Sequence, residues 1–128
     1  MVKQRYPPRI MYIENKGDGL HGPARIGRVT FTRTGATLRY RDLSFGRLGG
    51  AGYKANYRCV ETGEEYWISG PRRDGTDRLY KSDLPVEIDD DVREEYWTQI
   101  RKKPEWKDRP QSTLFTTNRP NATSLTRE

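Results

Sequence analysis

The chain has 128 residues, a net charge of +6 and only 32% hydrophobic residues, which suits a single domain with a small core. No apolar run approaches the roughly 20 residues of a membrane-spanning helix, and the charged N-terminus lacks the apolar segment of a signal peptide. We therefore expect a basic cytoplasmic protein, in which the single cysteine, Cys59, is a small core residue rather than half of a disulfide or a nucleophile.

The first elements are a leader over residues 1–8 and a strand. The run from Arg9 to Ile13 is apolar on both faces, which predicts a central strand covered on two sides. Residues 15–23 are rich in Gly and Pro and predict a loop. Its Gly17-Asp18-Gly19 matches the start of the diphosphate-binding motif of thiamine-diphosphate enzymes. Those enzymes need alternating βα units that a chain of this length and pattern does not supply, so we predict a plain turn and no cofactor.

A hairpin is predicted from Ala24 to Tyr40, with its turn at Thr34-Gly35. Like charges that face each other across such a strand pair are unfavourable unless an anion or a carboxylate neutralises them. Gly27 shifts the alternation of apolar residues and predicts a bulge. The expected facing pairs are Phe31–Leu38 and Val29–Tyr40 on the core side, and Arg28–Arg41 and Thr30–Arg39 on the outer side.

The next segment, residues 45–52, is a glycine-rich connection. Successive backbone N–H groups in such a run can bind a phosphate. The run lacks the Gly-Lys-Ser/Thr ending of a phosphate-binding loop and leads into a strand rather than a helix. A structural loop is therefore the prediction.

A second hairpin is predicted over residues 53–70, with Thr62-Gly63 as a two-residue loop. On its outer side, Arg58 would then lie across from Trp67, an arrangement that favours a cation–π contact. The predicted core-side pairs are Cys59–Tyr66 and Tyr57–Ile68.

The C-terminal part begins with a loop over residues 70–77 and a short strand at 78–80. Asp89, Asp90 and Asp91 supply cap and first-turn carboxylates for a helix that ends near Lys103, before Pro104. This assignment is favoured over a divalent-cation site, and no metal site is predicted. The helix has an apolar stripe expected to pack on sheet residues such as Tyr57 and Ile68, and residues 104–128 are expected to form a flexible tail that orders on a partner. The stripe consists of Val92, Tyr96 and Ile100.

Three segments together resemble a set of small bacterial proteins of no assigned activity. They are ETGEEYWISGP at residues 61–71, DRLY at 77–80 and VEIDDDVREEYW at 86–97. The resemblance covers residues 10–103. It implies a bacterial cytosolic protein and brings no site residue with it.

The predicted fold is α+β: a small twisted antiparallel sheet or partly open barrel of five to six strands, with one C-terminal helix, as a single domain over residues 9–103. Charge is distributed unevenly along the chain: residues 1–58 carry +9, residues 59–100 carry −7 and residues 101–128 carry +4. This bipolar pattern favours a defined anionic partner, or head-to-tail self-association, over diffuse coating of nucleic acid.

The predicted functional surface is the arginine-rich hairpin. We expect a non-enzymatic binding module or small subunit that engages a protein partner through this face and the tail. Single-stranded nucleic acid or RNA, held by arginines beside exposed aromatics, is the alternative. The predicted partner- or anion-binding residues are Arg28, Arg39, Arg41, Arg58 and Trp67.

A small enzyme is a second alternative, although no catalytic residue is assigned. His21 is the only histidine, so a histidine-rich metal site or a serine triad cannot be built from this chain alone. An enzyme would need a cleft that gathers His21, Asp18 and the glycine-rich loop. The oligomeric state is left open.

Overall fold

The computed structural model describes residues 6–17, 19, 21–49, 54–78, 80 and 84–112. Six strands form a closed antiparallel barrel, in which each strand pairs with the next and the sixth returns to the first. The fold is therefore mostly β, with a barrel that is closed rather than partly open. The strands are β1 Arg9–Asn15, β2 Ala24–Phe31, β3 Thr37–Tyr40, β4 Leu43–Arg47, β5 Tyr57–Cys59 and β6 Glu65–Ser69.

Two further strands and a helical segment lie outside the barrel. Strand β7, Val86–Ile88, pairs in parallel with β2, and β8, Gln111–Ser112, pairs antiparallel with β7. The helical segment, residues 90–100, begins as a 3₁₀ turn at Asp90–Val92, continues through α1 at Arg93–Glu95 and ends as a π turn at Tyr96–Ile100. A 3₁₀ turn at Pro104–Trp106 follows. No helix among the described residues is long and apolar enough to cross a membrane.

Strand β1 contributes to two cores, because its alternate side chains point into the barrel and out of it. Met11 and Ile13 belong to the barrel core, whereas Ile10 and Tyr12 belong to an outer core. The strand pairs with both β2 and β6. This confirms the prediction of a central strand that is covered on both faces.

The outer core lies between β1, β2 and β7 on one side and the helical segment on the other. The predicted apolar stripe packs there, with Val92 and Tyr96 fully buried and Ile100 packed at its edge. Tyr57 and Ile68, the predicted partners of the stripe, instead lie in the barrel core. That packing prediction is wrong because the helix covers the outside of the barrel, whereas those two side chains point inward.

The β2–β3 hairpin has the predicted register where the strands pair. Phe31 faces Leu38, and Thr30 faces Arg39. The predicted Arg28–Arg41 and Val29–Tyr40 pairs are not part of this ladder. Arg41 follows the end of β3 in the turn to β4, with φ of 55°, and the N-terminal part of β2 pairs with β7 at Arg25 and Ile26. The two strands diverge where the pattern would have opposed two arginines.

Gly27 is not a bulge, since β1 and β2 pair continuously from Arg9–Val29 to Glu14–Ala24. The apparent shift in alternation arises because Ile26 points to the outer core and Val29 to the barrel core. Glycine is needed for another reason. A Cβ at this position would lie 2.5 Å from Cε1 of Tyr40 and 2.6 Å from Oδ2 of Asp89.

The β5–β6 hairpin has a register two residues away from the predicted one. Tyr57 faces Tyr66 and Arg58 faces Glu65, because the connection is a four-residue loop over residues 60–63 rather than Thr62-Gly63 alone. Gly63 lies in this loop with φ of 78°, and its N–H donates to the carbonyl of Cys59. The predicted Arg58–Trp67 pair is therefore wrong.

Three other boundaries differ from the sequence-based expectations. Phe45, placed in a glycine-rich connection, is a fully buried residue of β4. Arg78 and Tyr80 lie outside any strand. The predicted flexible tail is part of the fold as far as Ser112, since Trp106 packs on the outer core and the Ile88 N–H donates to the carbonyl of Pro110. Residues 1–5 of the leader and 113–128 of the tail lie outside the described residues.

Candidate functional site

A cleft of about 570 Å³ opens at the end of the barrel where β1 and β3 finish and β2 and β4 begin. It lies at the point where β2 leaves β3 to pair with β7. This volume falls within the range of small-ligand sites. The lining comprises Ile13, Asn15, His21, Gly22, Pro23, Ala24, Arg25, Tyr40, Arg41, Leu43, Tyr66, Arg78, Leu84, Pro85 and Glu87.

Two arginines at the cleft share one carboxylate. The Nε of Arg25 donates to Oδ1 of Asp89 at 3.0 Å, and Nη2 of Arg41 donates to the same oxygen at 2.8 Å. Asp89 is only 8% exposed, whereas the arginine side chains are 41% and 56% exposed. Two positive charges against one negative charge leave this group with a net charge of +1.

Tyr40 fixes the other oxygen of the same carboxylate. Its hydroxyl donates to Oδ2 of Asp89 at 2.5 Å. Burial, followed by this hydrogen bond and the negative charge of Asp89, raises the pKa of Tyr40 above the ordinary value for a tyrosine, so the hydroxyl remains a donor at physiological pH. Asp89 is therefore held by three donors, Arg25 of β2, Tyr40 of β3 and Arg41 in the turn after β3, which orients both guanidinium groups at the cleft.

A buried ion cluster supports the wall of the cleft. Glu14, fully buried, lies 2.9 Å from Nζ of Lys16 and 3.1 Å from Nη1 of Arg78. The Tyr12 hydroxyl donates to Oε1 of Glu14, and the N–H of Gly22 donates to its Oε2. Burial, with this carboxylate beside it, also raises the pKa of Tyr12. Each charge in this cluster thus contacts an opposite charge, although two cations share the one carboxylate.

Arg78 lines the cleft, but its guanidinium donors bind backbone carbonyls of the loops that precede β2 and β7. Besides Glu14, it donates to the backbone carbonyls of Gly22, Leu84 and Pro85 at 2.9 to 3.3 Å. Its side chain is 2% exposed. We infer that Arg78 shapes the cleft and that Arg25 and Arg41 are the cations available to a ligand.

The floor of the cleft is apolar. Ile13, Tyr40 and Tyr66 line it, and the first two are at most 6% exposed and belong to the barrel core. Leu84 on the rim is 46% exposed. The cleft thus combines an apolar floor with two cations at its edge.

The predicted site residues are not brought together in one site. Arg41 reaches the cleft. Arg28 forms an ion pair with Glu95 at 2.8 Å, and Arg58 lies 3.5 Å from Glu65. Arg39 is exposed on the outer face of β3, and Trp67 is partly buried against the outer core. Carboxylates of residues 59–100 thus pair with three of the four arginines, so these charges are partly neutralised within the chain.

The residues of the predicted enzyme site, His21, Asp18 and the glycine-rich loop, are also not shown together. His21 lines the cleft, whereas none of the described residues 46–49 of the glycine-rich loop does so. Asp18 and residues 50–52 lie outside the described residues. Within the described ranges, no group of three or more His, Cys, Asp or Glu is placed to hold a metal ion.

Sequence reasoning missed three residues that organise the site: Glu14, Arg78 and Asp89. Asp89 precedes the helical segment at its N-cap position but makes no side-chain cap hydrogen bond, and its partners are 48 to 64 residues distant. Glu14 had a usable signal, because it continues the alternation of Ile10 and Tyr12 and so falls on a face predicted to be buried.

Comparison with known protein families, with curated proteins and with solved structures finds no match for this chain.

Proposed function

We propose that this protein is a non-enzymatic binding module that engages a protein partner at the cleft of the barrel. The observation that carries the proposal is the pairing of an apolar floor with two exposed arginines, both oriented by one buried carboxylate. Ligand sites commonly combine a mostly apolar surface with a few well-oriented polar groups. Arginine is also enriched in protein interfaces, where its planar group binds carboxylates.

The proposal keeps the expected class of function but relocates its surface. The arginine-rich hairpin was expected to bind through its outer face. On that face Arg28 already has a carboxylate partner, and Trp67, which lies on β6 rather than on this hairpin, is partly buried against the outer core. Single-stranded nucleic acid binding relies on aromatic side chains that are exposed for stacking beside cations, and Trp67 is not exposed in this way, so this arrangement favours a protein partner over nucleic acid.

The test is isolation of the tagged full chain from its source cells, with and without nuclease. We expect a stoichiometric protein that survives nuclease, is lost from the Arg25→Gln, Arg41→Gln double variant and is retained by the Arg28→Gln, Arg39→Gln double variant. Both variants remove two positive charges, so they are matched in net charge.

The Arg25→Gln, Arg41→Gln variant removes two partners of the buried Asp89 and could therefore fail to fold. A second variant that leaves Asp89 intact is needed for this reason. Leu84→Ser changes the exposed apolar rim of the cleft and is expected to reduce capture at least fivefold with little change in melting temperature. Material that disappears on nuclease treatment, or a partner that both Leu84→Ser and the cleft double variant retain fully, would overturn the proposal.

A further inference from the structure

The two guanidinium groups at the cleft have hydrogen-bonding capacity beyond Asp89. Each guanidinium carries five N–H donors, and the bond from each to Oδ1 of Asp89 uses one of them. The pair also retains a net charge of +1 with Asp89 included, and the nearby carboxylate of Glu87, which lines the same cleft and faces Arg25 across the β2–β7 ladder, accepts a hydrogen bond from Gln111. A second carboxylate can therefore bind both arginines without displacing the first.

The apolar floor lies directly beside these donors. Tyr40 donates to Asp89 through its hydroxyl while its ring belongs to the barrel core, and Arg41 lies over that ring at 5.3 Å. Ile13 and Leu43 complete the apolar surface. A ligand that places a carboxylate against the arginines thus places its adjacent atoms against apolar side chains.

The cleft is closed at its base, because the barrel core beneath it is packed. Phe45 and Val29, which lie in that core, are fully buried. A chain terminus can place its carboxylate against the two arginines and its last side chain on this apolar surface without a turn in the chain.

The geometry points to the free C-terminal carboxylate of a partner polypeptide, with an apolar last side chain, as the ligand of this cleft, held by Arg25 and Arg41 while the last side chain contacts Ile13 and Leu43. This inference rests on the proposed function and specifies the part of the partner that binds. Capture of a terminal carboxylate by fixed donors is an established mode of peptide recognition.

The test uses two synthetic probes, acetyl-Ser-Gly-Leu with a free carboxylate and the same peptide as its C-terminal amide, titrated into the ¹⁵N-labelled full chain. We expect the acid to shift the amide resonances of Leu43 and Arg25 and to bind at least tenfold more tightly than the amide. Arg41→Gln should weaken binding of the acid about tenfold. Arg39→Gln, which removes the same charge from an exposed position of β3 outside the lining of the cleft, should change it less than twofold.

Failure of this inference and failure of the proposed function give different results. Equal binding of acid and amide, or equal weakening by Arg39→Gln and Arg41→Gln, would reject the terminal carboxylate and leave a protein interface at the cleft. A third result is that the amide resonances of cleft residues do not shift with either peptide but do shift when residues 113–128 are deleted. This would show that the chain's own C-terminal segment occupies the cleft. It would overturn the inference. No cleft response to any of these, with no captured protein, would reject both proposals.

Discussion

At the scale of single residues, one carboxylate, that of Asp77, is buried with few polar partners. Asp77 is 7% exposed, and its main polar partner is the backbone N–H of Arg72, which donates to Oδ1 at 2.6 Å. Burial raises the pKa of Asp77 to about 6, against the smaller opposing effects of this hydrogen bond and of the nearby Arg101. Asp74 adds a small effect in the same direction as burial. The folded chain therefore holds this proton more tightly than the unfolded chain does.

The sign of the resulting pH dependence follows from that pKa. The stabilisation is complete below about pH 4, where both states are protonated at Asp77, and is lost as the pH rises through about 6. We expect the free energy of unfolding to fall by about 3 kcal/mol relative to Asp77→Asn across this window, since each pKa unit corresponds to roughly 1.4 kcal/mol. Urea unfolding of both proteins between pH 3.5 and 7.5 measures the difference. A wild-type minus Asp77→Asn difference that is constant with pH would contradict this assignment.

At the scale of elements, the cleft exists because β2 changes partner along its length. Its C-terminal part pairs with β3 and its N-terminal part with β7, and Asp89, which follows β7, fills the gap between the diverging strands. Gly27 allows this close approach, because Tyr40 and Asp89 occupy the space that a Cβ would need.

Gly27→Ala tests that packing. The added methyl group overlaps Tyr40 and the Asp89 carboxylate, so we expect a loss of about 2 to 3 kcal/mol in the free energy of unfolding. Gly46→Ala is the matched control. Gly46 is also in a barrel strand, but a Cβ added there would have no atom within 4 Å outside its chain neighbours, and we expect a change within about 0.5 kcal/mol. Chemical denaturation compares the two, and equal effects would show that Gly27 is not a contact point.

The sequence predicted those elements whose signals are local. The Thr34-Gly35 turn predicted the β2–β3 register correctly, and the two-sided apolar pattern of β1 predicted a central strand. The Thr62-Gly63 pair misled because a glycine with positive φ also suits the last position of a four-residue loop. Strand β4 was not predicted, because Gly46 and Gly49 indicated a loop and Phe45 alone was too weak a signal for a buried strand.

At the scale of the whole molecule, the acidic and basic parts of the chain meet where β7 and the helical segment pack beside β2. Arg25, Arg28 and Arg41 pair with Asp89 or Glu95 from the helical side. Opposite charges at the two parts were visible in the sequence, but which arginine keeps spare donors was not. That outcome depends on the parallel pairing of β7 with β2, which joins segments some 60 residues apart and leaves no local signal. The position of the candidate site therefore could not be predicted from the sequence.

The most direct test of this account is site-specific photocrosslinking in the source cells. A photoreactive side chain replaces His21, which is exposed on the cleft, or Ala36, which is exposed in the β2–β3 turn at the other end of the barrel. We predict that the His21 position crosslinks to a discrete protein, that the crosslink is at least tenfold weaker in the presence of Arg41→Gln, and that the Ala36 position gives none. Crosslinking to the same protein with equal yield from both positions, or to nucleic acid from the cleft, would contradict a protein-binding site at the mouth of the barrel.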